Sequence, residues 1–300
     1  MRTDQFDISE DNGIGGKKSM QNPVMIIGMH RSGTSMITRL LEDLGLYVGW
    51  KKEDNHESSM FHRVNDWILD QCSATWDNPA PARFLQEDGV FMLVKDYVYQ
   101  LLSSPKVIEF LGVRDFLRYR SLMNLSRPWG WKDPRSTYTL PVWKAIFPEA
   151  RIVHVMRHGV DVAQSLRVRH TRVLQKEIAQ YPDRKALYRI LHKRGRFCDS
   201  VRCLTLEGGF SLWEEYVNEA RKHIVAAGAN GYEIRYEDFI SEPETALRRL
   251  ADFCGISSDR DGIEQVLGKI RRDRTFAYRE DPELSQYAIT VAERLFVYGY

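Results

Sequence analysis

Residues 24–44, VMIIGMHRSGTSMITRLLEDL, run from an apolar stretch through a glycine-bracketed loop into an amphipathic stretch. That order commits the chain to a buried strand, a tight turn and a helix that begins where the turn ends. Met36, Ile37, Leu40, Leu41 and Leu44 recur at helical spacing, and Gly45 follows as a C-terminal cap. The loop thus lies at a helix N-terminus, where unpaired N–H groups and the positive end of the helix dipole favour a bound anion. Gly28 and Gly33 are spaced so that successive backbone N–H groups converge on one such anion. Arg31, Ser32, Thr34 and Ser35 add a guanidinium and three hydroxyls to the same turn.

The glycine spacing is that of a P-loop, with one departure. Thr34 stands where the P-loop lysine would reach the β- and γ-phosphates of a nucleotide, while Ser35 keeps the hydroxyl that in NTPases helps to hold magnesium. The cation has moved to Arg31, inside the loop. A plain glycine turn with an exposed arginine is the alternative for GxxxxG taken alone, and the cluster of guanidinium and hydroxyls weighs against it.

Three hundred residues at 43% hydrophobic content are enough for a sizeable core in one large α/β domain. A net charge of only +2 gives no support to nucleic-acid binding through bulk electrostatics. Residues 167–196 nevertheless hold ten Lys or Arg against Glu177 and Asp183, either a solvated basic face or a steering surface for anions. Cys72, Cys198, Cys203 and Cys254 are scattered without CxxC spacing, which suits a reduced, cytoplasmic protein. His154 and His158 lie four apart, but the first belongs to an apparent strand, where that spacing makes no shared face, so no metal site is expected. No apolar run is long enough to cross a bilayer and the polar N-terminus does not read as a signal peptide. A soluble protein without a membrane span is expected.

Residues 1–22, rich in Gly, Ser, Asp and Lys, read as a flexible leader, and a single domain follows over residues 23–300. Residues 64–72 and 90–124 carry apolar residues at helical spacing and read as a helical layer, joined through a loop at the Pro-rich residues 78–83. Residues 151–156 alternate as a strand, Gly159 turns the chain, and Asp161 caps a helix running through Ser165. Leu212, Trp213, Tyr216, Val217, Ala220 and Ile224 share one helical stripe that ends at Gly228, before the strand YEIRY. Ser241 and Glu244 form a capping-box signature for a helix whose Ala246, Leu247, Leu250 and Ala251 face inward. Alternation of helix and strand predicts an α/β fold of P-loop-NTPase-like type, a mostly parallel sheet flanked by helices, with ligands at the carboxyl ends of its strands. Arg31, Lys132, Arg157 and Tyr236 would all lie near such ends.

Three motifs in this order, HRSGTS at residues 30–35, RHGVDVAQS from Arg157 to Ser165, and IRYEDF at residues 234–239, resemble the sulfotransferases that use 3′-phosphoadenosine 5′-phosphosulfate (PAPS). The resemblance extends from residue 24 to about 255. It implies that Arg31, Ser32, Gly33, Thr34 and Ser35 bind the 5′-phosphosulfate, Arg157 and Ser165 the 3′-phosphate, and Tyr236 the adenine. A guanidinium and a hydroxyl on the 3′-phosphate would separate this donor from a nucleotide lacking that group. The alternative for Arg157 is an ion pair with Asp161. Arg31 in the loop makes the chain similar to the glycan- and tyrosyl-modifying branch of the family, and the lack of an anchor suggests a soluble bacterial-type member. The layer at residues 64–124 then becomes a helical insertion on the acceptor side.

That branch also implies that Lys132 of GWKDPR reaches the sulfonyl or bridging oxygen and that Glu57 of DNHESSMF is the general base. His56, His62 and Asp133 stand behind Glu57 as alternatives. Lys269, Arg271, Arg272 and Arg274 are either a second phosphate clamp or a solvated helix face. Trp67, Trp76, Trp129 and Trp131 are either acceptor-stacking rings or core. The expected activity is PAPS-dependent sulfonyl transfer, without a metal, to a hydroxyl acceptor of carbohydrate or glycolipid type. The competing readings are a degenerate nucleotide kinase or NTPase and a non-catalytic nucleotide-binding module.

Overall fold

The computed structural model describes residues 21–257, 260–270 and 275–300. In chain order the elements are β1 (Val24–Ile27), α1 (Thr34–Asp43), α2 (Ser59–Asp70), α3 (Asp88–Leu102), α4 (Ile108–Tyr119), β2 (Gly130–Lys132), α5 (Ser136–Ile146), β3 (Arg151–Met156), α6 (Gly159–Arg184), α7 (Leu206–Ala227), β4 (Gly231–Arg235), α8 (Tyr236–Ser241), α9 (Pro243–Cys254), α10 (Arg260–Leu267), α11 (Pro282–Thr290) and α12 (Ala292–Val297). Every strand pairing is parallel and the sheet order is β2-β1-β3-β4. After β1 the chain crosses to one side of the sheet and after β3 to the other. The crevice between those two strand ends is a topological switch point, where ligands bind in sheets of this kind.

Period-two alternation divides β1 between two cores. Met25 and Ile27 face a layer containing α2 to α5, with Phe61 stacked on Trp131 at 4.0 Å between ring centroids. Val24 and Ile26 face α1 and α9, where Leu41, Leu247 and Leu250 are fully buried. A strand buried on both faces can be wholly apolar, as VMII is. Trp129 and Trp131 belong to the core, whereas Trp67 and Trp76 are half-buried beside a cleft.

Four local expectations are corrected. Gly159 is the first residue of α6 rather than a turn, because a Cβ there would stand 2.7 Å from Phe210 and Trp213 of α7 and only glycine lets the two helices approach. Asp161 therefore lies inside the first turn and does not cap it; its carboxylate accepts from the Tyr278 N–H and from Arg157. The capping box at Ser241 does not form. Its hydroxyl donates to the Asp238 carbonyl, and Glu242 precedes a helix opened by Pro243, whose missing N–H needs no cap. The Pro-rich segment is less irregular than expected, winding into a 3₁₀ helix over Ala80–Gln86.

Of the expected leader, residues 1–20 lie outside the described residues. Gln21 is already tied to the fold, donating to the Leu125 carbonyl at 3.1 Å and accepting from the Trp129 indole at 2.8 Å. Among the described residues no helix is long and apolar enough to cross a membrane.

Candidate active site

The loop after β1 turns through three left-handed residues, Gly28 (φ 132°), Arg31 (φ 72°) and Gly33 (φ 98°). At Gly33 a Cβ would come within 2.5 Å of the Tyr236 ring, so glycine lets that ring lie directly on the loop. The N–H groups of Gly33, Thr34 and Ser35 donate to no oxygen among the described residues, as the first turn of α1 dictates. Ser32 is buried and its hydroxyl is turned inward, donating to the Met29 carbonyl at 2.7 Å. The Ser35 hydroxyl donates to the Asn55 carbonyl at 3.0 Å.

A cleft of about 580 Å³ opens over this loop. It is lined by Arg31, Gly33, Thr34, Ser35, Glu57, Lys132, Arg157, Ser165 and Tyr236, so of the residues assigned to the donor, with Lys132 and Glu57, Ser32 alone lies outside it, as do the alternative bases His56, His62 and Asp133. They arrive from separate elements: Lys132 ends β2, Arg157 follows β3, Ser165 sits on α6, and Tyr236 opens α8 directly after β4. The Arg31 Nε donates to the Ser165 hydroxyl at 2.8 Å. Arg157 donates to Asp161 at 3.1 Å, and its guanidinium stands 5.1 Å from the Tyr236 ring centroid. The ion pair with Asp161 and a position on the cleft are thus both realised.

Lys132 and Glu57 form a pair at 2.8 Å, with only 1% and 5% of their surfaces exposed. Burial lowers the Lys132 pKa, and Glu57 opposes that shift. Of the alternatives to Glu57, His56 contacts Glu42 at 3.3 Å and does not line the cleft. Asp133 is fully buried and spends its oxygens on Asn65 and on the Arg135 backbone and guanidinium; burial raises its pKa. His62 packs behind Glu57, 3.5 Å from its second oxygen, and a hydrogen bond with Asp66 raises its pKa. Lys269 lines the cleft and pairs with Asp43 at 2.9 Å, while Arg271, Arg272 and Arg274 lie outside the described residues.

A family model described as the sulfotransferase family matches residues 23–260. The chain belongs to the sulfotransferase family. It is 27% identical over 166 residues to omega-hydroxy-beta-dihydromenaquinone-9 sulfotransferase Stf3 of Mycobacterium bovis and, to the same extent, of Mycobacterium tuberculosis. The match takes in 55% of this chain and 37% of each relative, so it spans little more than a third of their length. Among solved structures, sulfotransferase STF1 of Mycobacterium tuberculosis aligns with a TM-score of 0.46 at 14% identity, over 84% of this chain and 72% of that one. The sulfotransferase domain from the curacin biosynthetic pathway aligns at 0.44 and 16%, over 85% and 80%.

Sequence reasoning missed the framework behind the cleft. Asn65 is wholly buried: its amide donates to Asp133 and Ser136, and its oxygen accepts from Thr139 and Trp143 at 2.6 and 2.7 Å. This one side chain ties α2 to the segment that carries Lys132. The signal was present, since Asn65 interrupts the apolar stripe of Phe61, Val64, Ile68 and Leu69. Of the basic residues at 167–196, Lys193 and Arg184 pair with Glu177, while Arg169 lines the cleft.

Proposed function

We propose that this sulfotransferase moves the sulfonyl group of PAPS to an acceptor hydroxyl. The observation that carries the reading is the convergence of residues from all three motifs, with the buried Lys132–Glu57 pair, on one cleft at the sheet's switch point. The free N–H groups at the start of α1 and the Arg31 guanidinium suit the 5′-phosphosulfate, Arg157 and Ser165 suit the 3′-phosphate, and the Tyr236 ring, buried but lining the cleft, suits the adenine.

In the reaction, the acceptor oxygen forms a bond to sulfur as the bond from sulfur to the bridging 5′-phosphate oxygen breaks. Glu57 takes the hydroxyl proton, and Lys132 and Arg31 stabilise the charge that grows on the departing phosphate. The products are a sulfate ester and adenosine 3′,5′-bisphosphate. The relatives' name specifies a hydroxylated acceptor, which agrees with this class of chemistry.

Adenosine 3′,5′-bisphosphate is expected to bind about tenfold to a hundredfold more tightly than 5′-AMP, the value of one charge-assisted contact. Isothermal calorimetry measures this. Arg157→Ala should erase most of the preference, and equal affinities for the two nucleotides in the unaltered protein would sink the donor assignment.

A further inference from the structure

A second cleft, of about 570 Å³, meets the first at His30 and Arg169, which line both. In-line transfer requires the acceptor to approach sulfur from the side opposite the departing phosphate, so its binding space must adjoin the Lys132–Glu57 end of the first cleft. His30 marks that end: it precedes Arg31 in the loop, and Lys132 and Arg135 are among the charges that act on it. The His30 Nε2 is buried and without a hydrogen-bond partner. Burial first, and those cations second, lower the His30 pKa and leave the ring neutral near pH 7.

The second cleft is charged but balanced. Asp66, Asp70 and Asp199 face Arg135, Arg169 and Arg196. Asp66 pairs with Arg135 and His62, and Arg135 also with Asp133, but the side chains of Asp70, Asp199 and Arg169 make no hydrogen bond or ion pair among the described residues. Equal numbers of opposite charges give an ionic acceptor little net field. Asp70, Asp199 and Arg169 are exposed, and an alkyl chain laid over them would displace their water without offering a partner. A hydroxyl donates to a carboxylate and accepts from a guanidinium or from a ring nitrogen's N–H, so a polyol can satisfy all of them at once. Trp76 supplies an aromatic wall, held in place by the stacked His170 ring at 5.5 Å and by His30 edge-on at 4.9 Å.

We infer that this second cleft is the acceptor site, and that it takes a neutral polyhydroxyl compound of the saccharide class, packed on Trp76 and held by Asp70, Asp199 and Arg169. The inference rests on the sulfonyl-transfer reading for which hydroxyl reacts, but the saccharide binding itself does not.

The test is calorimetric titration of the full chain, with and without saturating adenosine 3′,5′-bisphosphate, using methyl glucoside, methyl galactoside, methyl mannoside, maltose and lactose, with 1-octanol as the apolar comparison. At least one saccharide should bind, and Asp70→Asn and Trp76→Ala should each weaken that binding about tenfold, the worth of one charge-assisted or stacking contact. Nucleotide affinity should stay unchanged in both variants, which also shows that they fold. Binding of none of the sugars, preference for 1-octanol, or sugar binding indifferent to both substitutions would overturn the assignment. Sugar binding without any nucleotide binding would leave the second cleft standing and remove the donor reading instead.

Discussion

Lys132 and Glu57 are held 2.8 Å apart in a nearly dry setting, and each is the other's main compensation for lost hydration. Two effects of substitution must therefore be separated. Lys132→Ala strands a buried carboxylate and should cost about 3–5 kcal/mol of stability, read by urea unfolding. Glu57→Gln keeps an oxygen that can accept from Lys132 and should cost less. If the pair also serves the transition state, single-turnover rates should fall by about 10² to 10³ in both variants with donor-product affinity little changed. A near-wild-type rate in Glu57→Gln would pass the proton to another group, with His62 the nearest; a near-wild-type rate in Lys132→Ala would reject its part in the chemistry.

The junction of β3 with α6 carries Arg157 to the cleft, and His158 fastens that junction to the C-terminal segment. Its ring stacks on Tyr278 at 4.3 Å, and its backbone N–H donates to Glu237, whose other oxygen accepts from the Tyr300 hydroxyl. Burial, reinforced by Arg279 and Arg157, pushes the His158 pKa down to about 3, from the usual histidine value of about 6.5. Between those values the unfolded chain binds a proton that the folded chain refuses, so stability falls as pH drops below about 6.5, by up to about 1.4 kcal/mol per pH unit from this group. Above that pH the group contributes no slope. His158→Phe keeps a ring for Tyr278 and should flatten the acid side of the profile, measured by denaturant unfolding at pH 7, 6 and 5. An unchanged slope would show that His158 is not responsible.

On the scale of the whole molecule, the first cleft is bordered by the chain just after the ends of β1, β2, β3 and β4 and by α6, so one nucleotide would bridge parts of the chain more than 200 residues apart. Binding to the folded state alone should raise stability by about 2.7 kcal/mol at a hundredfold excess of adenosine 3′,5′-bisphosphate over its Kd. A thermal-shift titration should show the unfolding midpoint rising with the logarithm of nucleotide concentration. No rise, at concentrations where calorimetry reports saturation, would mean that the nucleotide does not bridge the folded unit. The net charge of +2 supplies little general attraction, so the salt dependence of binding should follow the local arginines of the cleft.

What the sequence determined by itself were the features whose physics is local. The β1–loop–α1 unit follows from apolar period, glycine spacing and helix-end chemistry within 21 residues, and the strand Arg151–Met156 and the inward face of α9 follow from periodicity in the same way. The order of the three motifs was enough to gather most of the cleft. Tertiary structure alone decided what depends on partners distant in sequence: the Lys132–Glu57 pair across 75 residues, the hydrogen bonds through which Asn65 steadies the Lys132 segment, and the meeting of Arg31 with Ser165 across 134. It also decided against the Gly159 turn, because α6 packs so closely on α7 that no side chain fits there, whereas the capping box yields to Pro243, which opens α9 one residue after Glu242. The second cleft has no sequence signature, since its charges come from segments that only folding brings side by side.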